Sequence, residues 1–409
     1  MVIVYGCYLV SRRGFPDMNE QKNVTEQKMK SRVLIFATSY YPLVGGAEVA
    51  MKELTDRLPE WEFDLVCAQI RPGLAKTETV GRVTVHRCGF GLSIDKYLLP
   101  ILSVARALRL TRGERAPRIW SLMASYGGFA ALVFTWFRPK TVMLLTLQEG
   151  DPLEHYASRA GAFEIFHRQI FRRANAVQPI SHFLAYWATR MGFSGEPKVI
   201  PNGVDVDRFS LRLSDERRVE MRREFGFSED DFVVVTVSRL SKKNAVDDNI
   251  RSLASLPPNV KLLVVGEGED REMLTSLVAQ LELTSRVVFL GNRSQAELPA
   301  ILQTADIFCR PSLSEGLGIS FLEAMASGLP IVATPVGGIP DFLREGETGV
   351  FCHPRDPDSI ALVIKRIMHD EALRERLKTN GRALVQKSYQ WDTIAAAINE
   401  LMHTIWPTL

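Results

Sequence analysis

Two carboxylates, Glu315 and Glu323, and a run of loop glycines lie within Ala305 to Leu343, ADIFCRPSLSEGLGISFLEAMASGLPIVATPVGGIPDFL. Asp306 to Cys309 reads as a short buried strand and Pro311 to Gly318 as a Ser/Gly-rich loop. Ile319 to Ser327 reads as a helix closed by Gly328 and Pro330, and Ile331 to Ala333 as the next strand. Ligands of parallel α/β sheets sit outside the carboxyl ends of strands, where helix N-termini turn N–H groups toward anions. The stretch is therefore a candidate binding site, with the backbone of Gly316, Leu317, Gly318 and Ile319 as its floor. A second candidate follows Phe232 to Val237, where Arg239, Lys242 and Lys243 stand in SRLSKKN. Arginine clamps a diphosphate by its fork and lysine as a point charge, although a solvated basic loop fits that segment alone equally well.

The elements that must position these groups alternate strand and helix. Val33 to Ala37 leads through Gly45-Gly46, which suit close approach of a phosphate, into a helix with Val49, Leu54 and Leu58 at helical spacing. Trp61 to Val66, Val83 to Arg87 and Val142 to Leu147 read as further strands, the last delivering Gln148, Glu149 and Asp151 at its carboxyl end. Ala176 to Ile180 and Lys198 to Ile200 lead to the turn Pro201-Asn202-Gly203-Val204-Asp205. The polar stretch Asp207 to Asp231 then connects to a second β/α series. In that series Gly266-Glu267-Gly268 opens a dinucleotide-like fingerprint whose third glycine is replaced by Arg271, a poor fit to nicotinamide or flavin. Val287 to Leu290 reads as a strand, and Ala296 to Gln303, Glu371 to Val385 and Trp391 to Trp406 as helices.

The composition is that of an ordinary soluble chain, 409 residues and 46% hydrophobic, long enough for two cores. Five widely spaced cysteines without a CxxC pair point to a reducing cytosol. Histidines such as His155 and His182 lack the partners a metal site needs, and no metal is expected. Charge is uneven. Residues 29–205 hold 22 basic and 15 acidic side chains, and residues 206–409 hold 24 and 29. Arg106, Arg109, Arg112, Arg115 and Arg118, with Arg168, Arg172 and Arg173, could face anionic lipid or a phosphorylated acceptor; a solvated helix face fits as well. Ile119 to Phe137 carries no charge, yet Ser121, Ser125, Tyr126, Gly127 and Gly128 interrupt it, as a strand, a loop and a core helix would. Residues 1–28 show no period and are expected to be a disordered or loosely docked extension, with Met29 the true start. Met1 to Val10 has the wrong polarity for a signal peptide.

PLVGGAE (Pro42 to Glu48), VIPNGVD (Val199 to Asp205), SRLSKKNAVD (Ser238 to Asp247), VGEGEDR (Val265 to Arg271), EGLGISFLE and AMASGLPIVATPVGGIPD together resemble the retaining glycosyltransferases of group 1, also called family 4. The resemblance implies a GT-B fold, two Rossmann-like β/α/β domains facing across a cleft. Residues 29–205 would bind the acceptor, 206–387 the nucleotide sugar, and 388–409 would form a helix returning to the first domain. It implies that Glu315 contacts donor-sugar hydroxyls and Glu323 the ribose, which suits a carboxylate's capacity to accept from two adjacent hydroxyls. It further implies that Arg239 and a lysine neutralise the leaving diphosphate, helped by the backbone at Gly45-Gly46 and Gly316 to Ile319, with no metal or other cofactor. Three positions depart from the family pattern: Asn244 stands where a lysine is usual, leaving Lys243 as the substitute, Ala245 stands where glycine is usual, and Gln148 stands where histidine is frequent.

The expected activity is transfer of a hexose from a UDP- or GDP-sugar to a glycan, glycolipid or polysaccharide of the cell envelope, by a front-face path. It would take place in the cytoplasm or at the inner face of the membrane, without a nucleic-acid partner. Glu149 and Asp151 are the only candidate nucleophiles of the first domain for the alternative double displacement. Two other activities compete, a GT-B nucleotide-sugar epimerase or hydrolase and a degenerate sugar-binding subunit. Nothing in the sequence sets the oligomeric state.

Overall fold

Continuous Val, Ile and Leu runs, apolar on both faces, can be buried only in a sheet covered by helices on both sides. The computed structural model describes residues 31–43, 45–151 and 164–407 and has two such sheets. The expectations for residues 1–28 and Met29, for Val44 in the PLVGGAE motif and for His155 fall outside the described residues.

The first domain runs β1 (Ser31–Phe36), α1 (Gly46–Asp56), β2 (Trp61–Ala68), β3 (Thr77–Val80), β4 (Val83–Cys88), α2 (Asp95–Leu110), β5 (Arg118–Leu122) and α3 (Tyr126–Phe137). It continues with β6 (Val142–Leu147), α4 (Glu164–Arg173), β7 (Ala176–Pro179) and α5 (His182–Arg190). Its strands lie in the order β3-β4-β2-β1-β5-β6-β7, parallel except for β3. After α6 (Val206–Ser210) and α7 (Asp215–Glu224), the second domain follows with β8 (Phe232–Val237), α8 (Val246–Ser252), β9 (Val260–Val265), α9 (Arg271–Gln280), β10 (Val287–Gly291) and α10 (Leu298–Gln303). Next come β11 (Ile307–Arg310), α11 (Ile319–Ala326), β12 (Ile331–Ala333), β13 (Val350–Phe351), α12 (Pro357–His369), α13 (Glu371–Ser388) and α14 (Trp391–Ile405). The second sheet is wholly parallel, in the order β10-β9-β8-β11-β12-β13. Strand order reverses between β1 and β5 in one sheet and between β8 and β11 in the other, and a crevice opens at such a switch point.

The two domains are joined by two neighbouring crossings. Val204 N–H donates to Tyr389 O at 2.7 Å, and Val204 bridges Gln390. Beyond that point α14 lies on the first domain, burying Ile394, Ile398, Leu401 and Met402 against Trp61 and Trp120. Trp61 Nε1 donates to Asn399 Oδ1 at 2.7 Å and Trp406 Nε1 to Val142 O at 3.2 Å, so the last helix completes the first domain's core.

Several elements differ from expectation. β3, an antiparallel edge strand, and the two-residue β13 are too short to stand out; helix α12, not among the expected elements, is amphipathic and buries Ile360, Val363, Ile364 and Ile367. Lys198 to Ile200 is not a ladder strand, yet Lys198 and Ile200 N–H groups donate to Val177 and Pro179 carbonyls. The arginine run forms no single helix face, because only Arg106 and Arg109 lie on α2 and Arg118 opens β5. Arg106 is turned inward onto His86 Nδ1, at 2.8 Å. Ile119 to Phe137 is the end of β5, a loop and α3, and among the described residues no helix is long and apolar enough to cross a membrane. The described cysteines, Cys67, Cys88, Cys309 and Cys352, are all free.

Candidate functional site

The switch-point loops of the second sheet carry most of the candidate residues. After β11 the chain turns through Gly318, at φ +89°, and enters α11; a Cβ there would lie 2.5 Å from the Phe321 ring and 2.9 Å from Arg310 Nη2. The loop is held by contacts that leave no room for side chains. A Cβ on Gly316 would meet Glu149 O of the first domain at 2.5 Å, and one on Gly337 would meet Glu315 O at 1.9 Å. Leu317 is buried in the core, so at that position only the backbone can face a ligand. Glu323 follows one turn into α11 and is buried. Burial pushes its carboxyl up to about 7, against a weaker downward pull from a Gln295 hydrogen bond and the Arg208 and Arg310 cations.

Glu315 is held by a residue the sequence reading passed over. β11 extends one residue beyond the expected end, to Arg310, which is buried. The β8–β11 register, Ile307↔Val234 and Phe308↔Val235, carries Arg310 to Val237, whose carbonyl accepts from Nη1 at 3.3 Å. Arg310 Nη1 also donates to Ser320 Oγ at 2.9 Å, its guanidinium stacks 4.3 Å from the Phe321 ring centroid, and Nη2 is ion-paired with Glu315. Its Nε is buried without a partner among the described residues. An arginine at the end of an otherwise apolar strand was the available signal, since such a charge is buried only when paired.

The loop after β8 rests on Gly266-Glu267-Gly268. Gly266 has φ +129°, and a Cβ on it would fall 2.0 Å from Ser238 O. Arg239 points outward and pairs with Glu269 at 3.1 Å. Asn244 turns inward, with Nδ2 donating to Arg239 O at 2.7 Å, and so closes the loop instead of presenting a group to the cleft. Lys243 reaches the first domain, where its Nζ pairs with Asp151 at 2.9 Å and donates to Gly150 O at 3.1 Å.

From the first domain, Gly45 and Gly46 open α1, with Glu48 accepting from Gly45 N–H at 2.9 Å and from Ser39 Oγ at 3.0 Å. A Cβ on Gly46 would lie 3.8 Å from Ile319 Cδ1, so the N-termini of α1 and α11 face each other across the cleft. Gln148 does not present a free amide, because it exchanges hydrogen bonds with Asn202 at 2.9 and 3.2 Å. The Glu149 side chain is turned away from the cleft. It is 1% exposed, its Oε1 accepts from Ala124 N–H at 2.7 Å, and burial pushes its carboxyl up to about 7 despite the backbone donors around it.

Two adjoining cavities, each of about 810 Å³, occupy the cleft. The first is bounded by Gly45, Gly46, Gly266, Glu267, Ile319 and Glu323, the second by Asp151, Lys243 and Glu315, and both are lined by Arg239 and Arg310. The arrangement offers a buried carboxylate, Glu323, on the first cavity and a half-buried one, Glu315, on the second, with cations between them and two helix N-termini on the first cavity, which suits a ligand with hydroxyls at both ends and anionic charge in the middle. Among the described residues no group of three or more His, Cys, Asp or Glu is placed to hold a metal ion.

Two doubly wound domains whose switch-point loops meet across a cleft define the GT-B fold. The structure superposes on Anabaena HepE, solved with UDP and glucose, with a TM-score of 0.76 over 91% of this chain and 100% of that one, at 21% identity. Within that fold, residues 217–384 match the family model of the glycosyl transferases group 1, and residues 45–203 match that of the glycosyl transferase 4-like domain. Over 48% of its length the chain is 35% identical to an uncharacterised glycosyltransferase of Methanocaldococcus jannaschii, of which 51% is covered. Over 58% it is 33% identical to the GDP-mannose-dependent α-(1-6)-phosphatidylinositol monomannoside mannosyltransferase of Mycolicibacterium smegmatis, of which 64% is covered. The chain thus spans between about half and two thirds of the length of these curated relatives.

Proposed function

We propose that this protein is a retaining hexosyltransferase that moves a sugar from a UDP- or GDP-linked donor to a hydroxyl of a glycan, glycolipid or polysaccharide acceptor. The observation that carries this reading is the separation of Glu323 and Glu315 into adjoining cavities that share cationic walls. Glu323 receives the ribose hydroxyls, Glu315 the hydroxyls of the transferred sugar, and Arg239 the diphosphate between them. Backbone N–H groups of Gly45-Gly46 and of Gly316 to Ile319 assist in holding that charge, and no metal ion takes part.

The bond from the anomeric carbon to the β-phosphate oxygen breaks and its electron pair stays on that oxygen. The acceptor oxygen bonds to the same face of the carbon, and its proton passes to the departing phosphate. The burial of Glu149 against Ala124 and the pairing of Asp151 with Lys243 favour this front-face path, since neither carboxylate is free to attack. The mannosyltransferase relative and the UDP-bound fold neighbour support both nucleotides as candidates, and the phosphatidylinositol-linked acceptor of the former supports a cell-envelope role. Phe90, Leu92, Ile94, Tyr97 and Ile101 are exposed around the start of α2, beside Lys96, which supports peripheral contact with the membrane that holds a lipid-linked acceptor.

A thermal-shift panel of UDP, GDP and their hexose conjugates tests the donor. The right ligand at 100 times its dissociation constant stabilises by about 2.7 kcal/mol. Transfer in the presence of a chelator, with the anomeric configuration of the product read by NMR, tests the rest. A panel without any shift, or a product of inverted configuration, refutes the proposal.

A further inference from the structure

We infer that Arg310 is the second cation of the diphosphate site, and that Lys243 instead latches the two domains together. The inference rests on the donor reading above. A nucleotide sugar with its ribose at Glu323 and its hexose at Glu315 must pass its diphosphate through the place where the two cavities meet, and Arg239 and Arg310 are the residues that line both. At the position where a lysine would complete a basic pair, Asn244 is buried and spends its amide on Arg239 O and Ser241 Oγ. Lys243, the neighbouring candidate, lines only the sugar-side cavity and directs its ammonium to Asp151 and Gly150 O of the first domain.

Arg310 has what those two lack. It sits at the end of a sheet strand, its plane is fixed by the Phe321 ring, and Nη1 is anchored on Ser320 Oγ and Val237 O. A guanidinium has five N–H donors. The Nε donor finds no acceptor among the described residues, and Nη2, which binds Glu315, has a second proton. One planar cation thus holds the carboxylate that reads the sugar while the site is empty, and Nη2 turns to an oxyanion when the donor enters, a fork that lysine does not reproduce. Arg310 is therefore both a phosphate-binding residue and the positioning residue for Glu315.

Titration calorimetry of GDP, UDP and the parent nucleosides on single and double variants tests the assignment. Glu315→Gln frees Arg310 from its carboxylate and is expected to bind the cognate diphosphate at least threefold more tightly than wild type. Adding Arg310→Met to Glu315→Gln is expected to weaken the diphosphate at least tenfold relative to Glu315→Gln, with nucleoside affinity within twofold; no carboxylate is left unpaired in that double variant. Arg310→Lys alone, which keeps the charge and loses the fork, is expected to weaken the diphosphate three- to tenfold. Lys243→Met is expected to stay within threefold of wild type. Equal diphosphate binding by Glu315→Gln and the double variant, or the large loss appearing in Lys243→Met instead, overturns the inference. Wild-type protein that binds neither GDP nor UDP overturns the donor reading itself, which is a different result.

Discussion

Glu323 makes nucleotide binding a proton-linked event. Its carboxyl is pushed up to about 7 by burial, so the ligand-free site is about half protonated at pH 7. Accepting from two ribose hydroxyls requires the ionised form, and those hydroxyls replace the water that burial removed. Binding at pH 7 should therefore release about half a proton. The apparent affinity should fall about tenfold between pH 8 and pH 6, where the protonated fraction rises from about a tenth to about nine tenths. Calorimetry at pH 7 in two buffers of different ionisation enthalpy reads the proton release directly. Glu323→Gln should abolish the release and flatten the pH profile, whereas Glu149→Gln, whose side chain lines neither cavity, should leave both intact. Nucleotide binding with no buffer dependence in the wild-type protein would show that Glu323 keeps one protonation state throughout, and would sink the ribose assignment in this form.

Glu149 carries the same upward shift with no ligand to relieve it, so its folded form holds a proton that the unfolded chain releases near its ordinary value of 4.5. Its contribution is full below about 4.5 and declines as pH rises toward 7, by about 3 kcal/mol in all; denaturant unfolding at pH 5 and pH 8 should show Glu149→Gln losing that decline. Trp406→Ala removes a ring that is 2% exposed and its hydrogen bond to Val142 O, and should lower stability by about 3 to 5 kcal/mol. A loss below about 1 kcal/mol in chemical denaturation would mean that the returning helix does not support the first domain's core. Gly266→Ala places a Cβ 2.0 Å from Ser238 O at φ +129°, and should cost about 1 to 3 kcal/mol in strain while displacing the Arg239 loop. Its melting temperature and its nucleotide affinity should therefore fall together.

Strands such as Val142–Leu147, Phe232–Val237 and Ile331–Ala333 could be read to the residue because continuous apolar runs end at polar turn residues, and that pattern also orders the β/α units. The Ile319–Ala326 helix that carries Glu323 was legible for the same reason, with Gly318 and Gly328 flanking it. Side-chain direction at strand ends was not legible. Glu149 stands next to a cleft loop yet turns under β5, because Ala124 N–H offers it a buried donor that only the tertiary fold brings within 2.7 Å. Arg310 is hidden for the opposite reason: the apolar run ends at Cys309, while the strand continues one residue further. Lys243 shows a third limit, since its partner Asp151 is 92 residues away and belongs to the other domain.

The cleft matches each of these three cations with a carboxylate: Arg310 with Glu315, Lys243 with Asp151 and Arg239 with Glu269. These pairs differ in what their exchange involves. Arg239–Glu269 is largely exposed and worth at most about 1 kcal/mol, so a phosphate displaces Glu269 easily. Arg310 and Glu315 are 7% and 15% exposed, and removing one partner from such a pair leaves a buried charge at a penalty of about 3 to 5 kcal/mol. A complete nucleotide sugar supplies both replacements at once, oxyanions for Arg310 and hydroxyls for Glu315. A nucleoside diphosphate supplies only the first and a free hexose only the second. Diphosphate and sugar should therefore bind cooperatively when offered as separate molecules, each tightening the other, and the cooperativity should vanish in the Arg310→Met/Glu315→Gln double variant. Equal cooperativity in that variant would place the coupling elsewhere, in the closure held by Lys243 and Asp151.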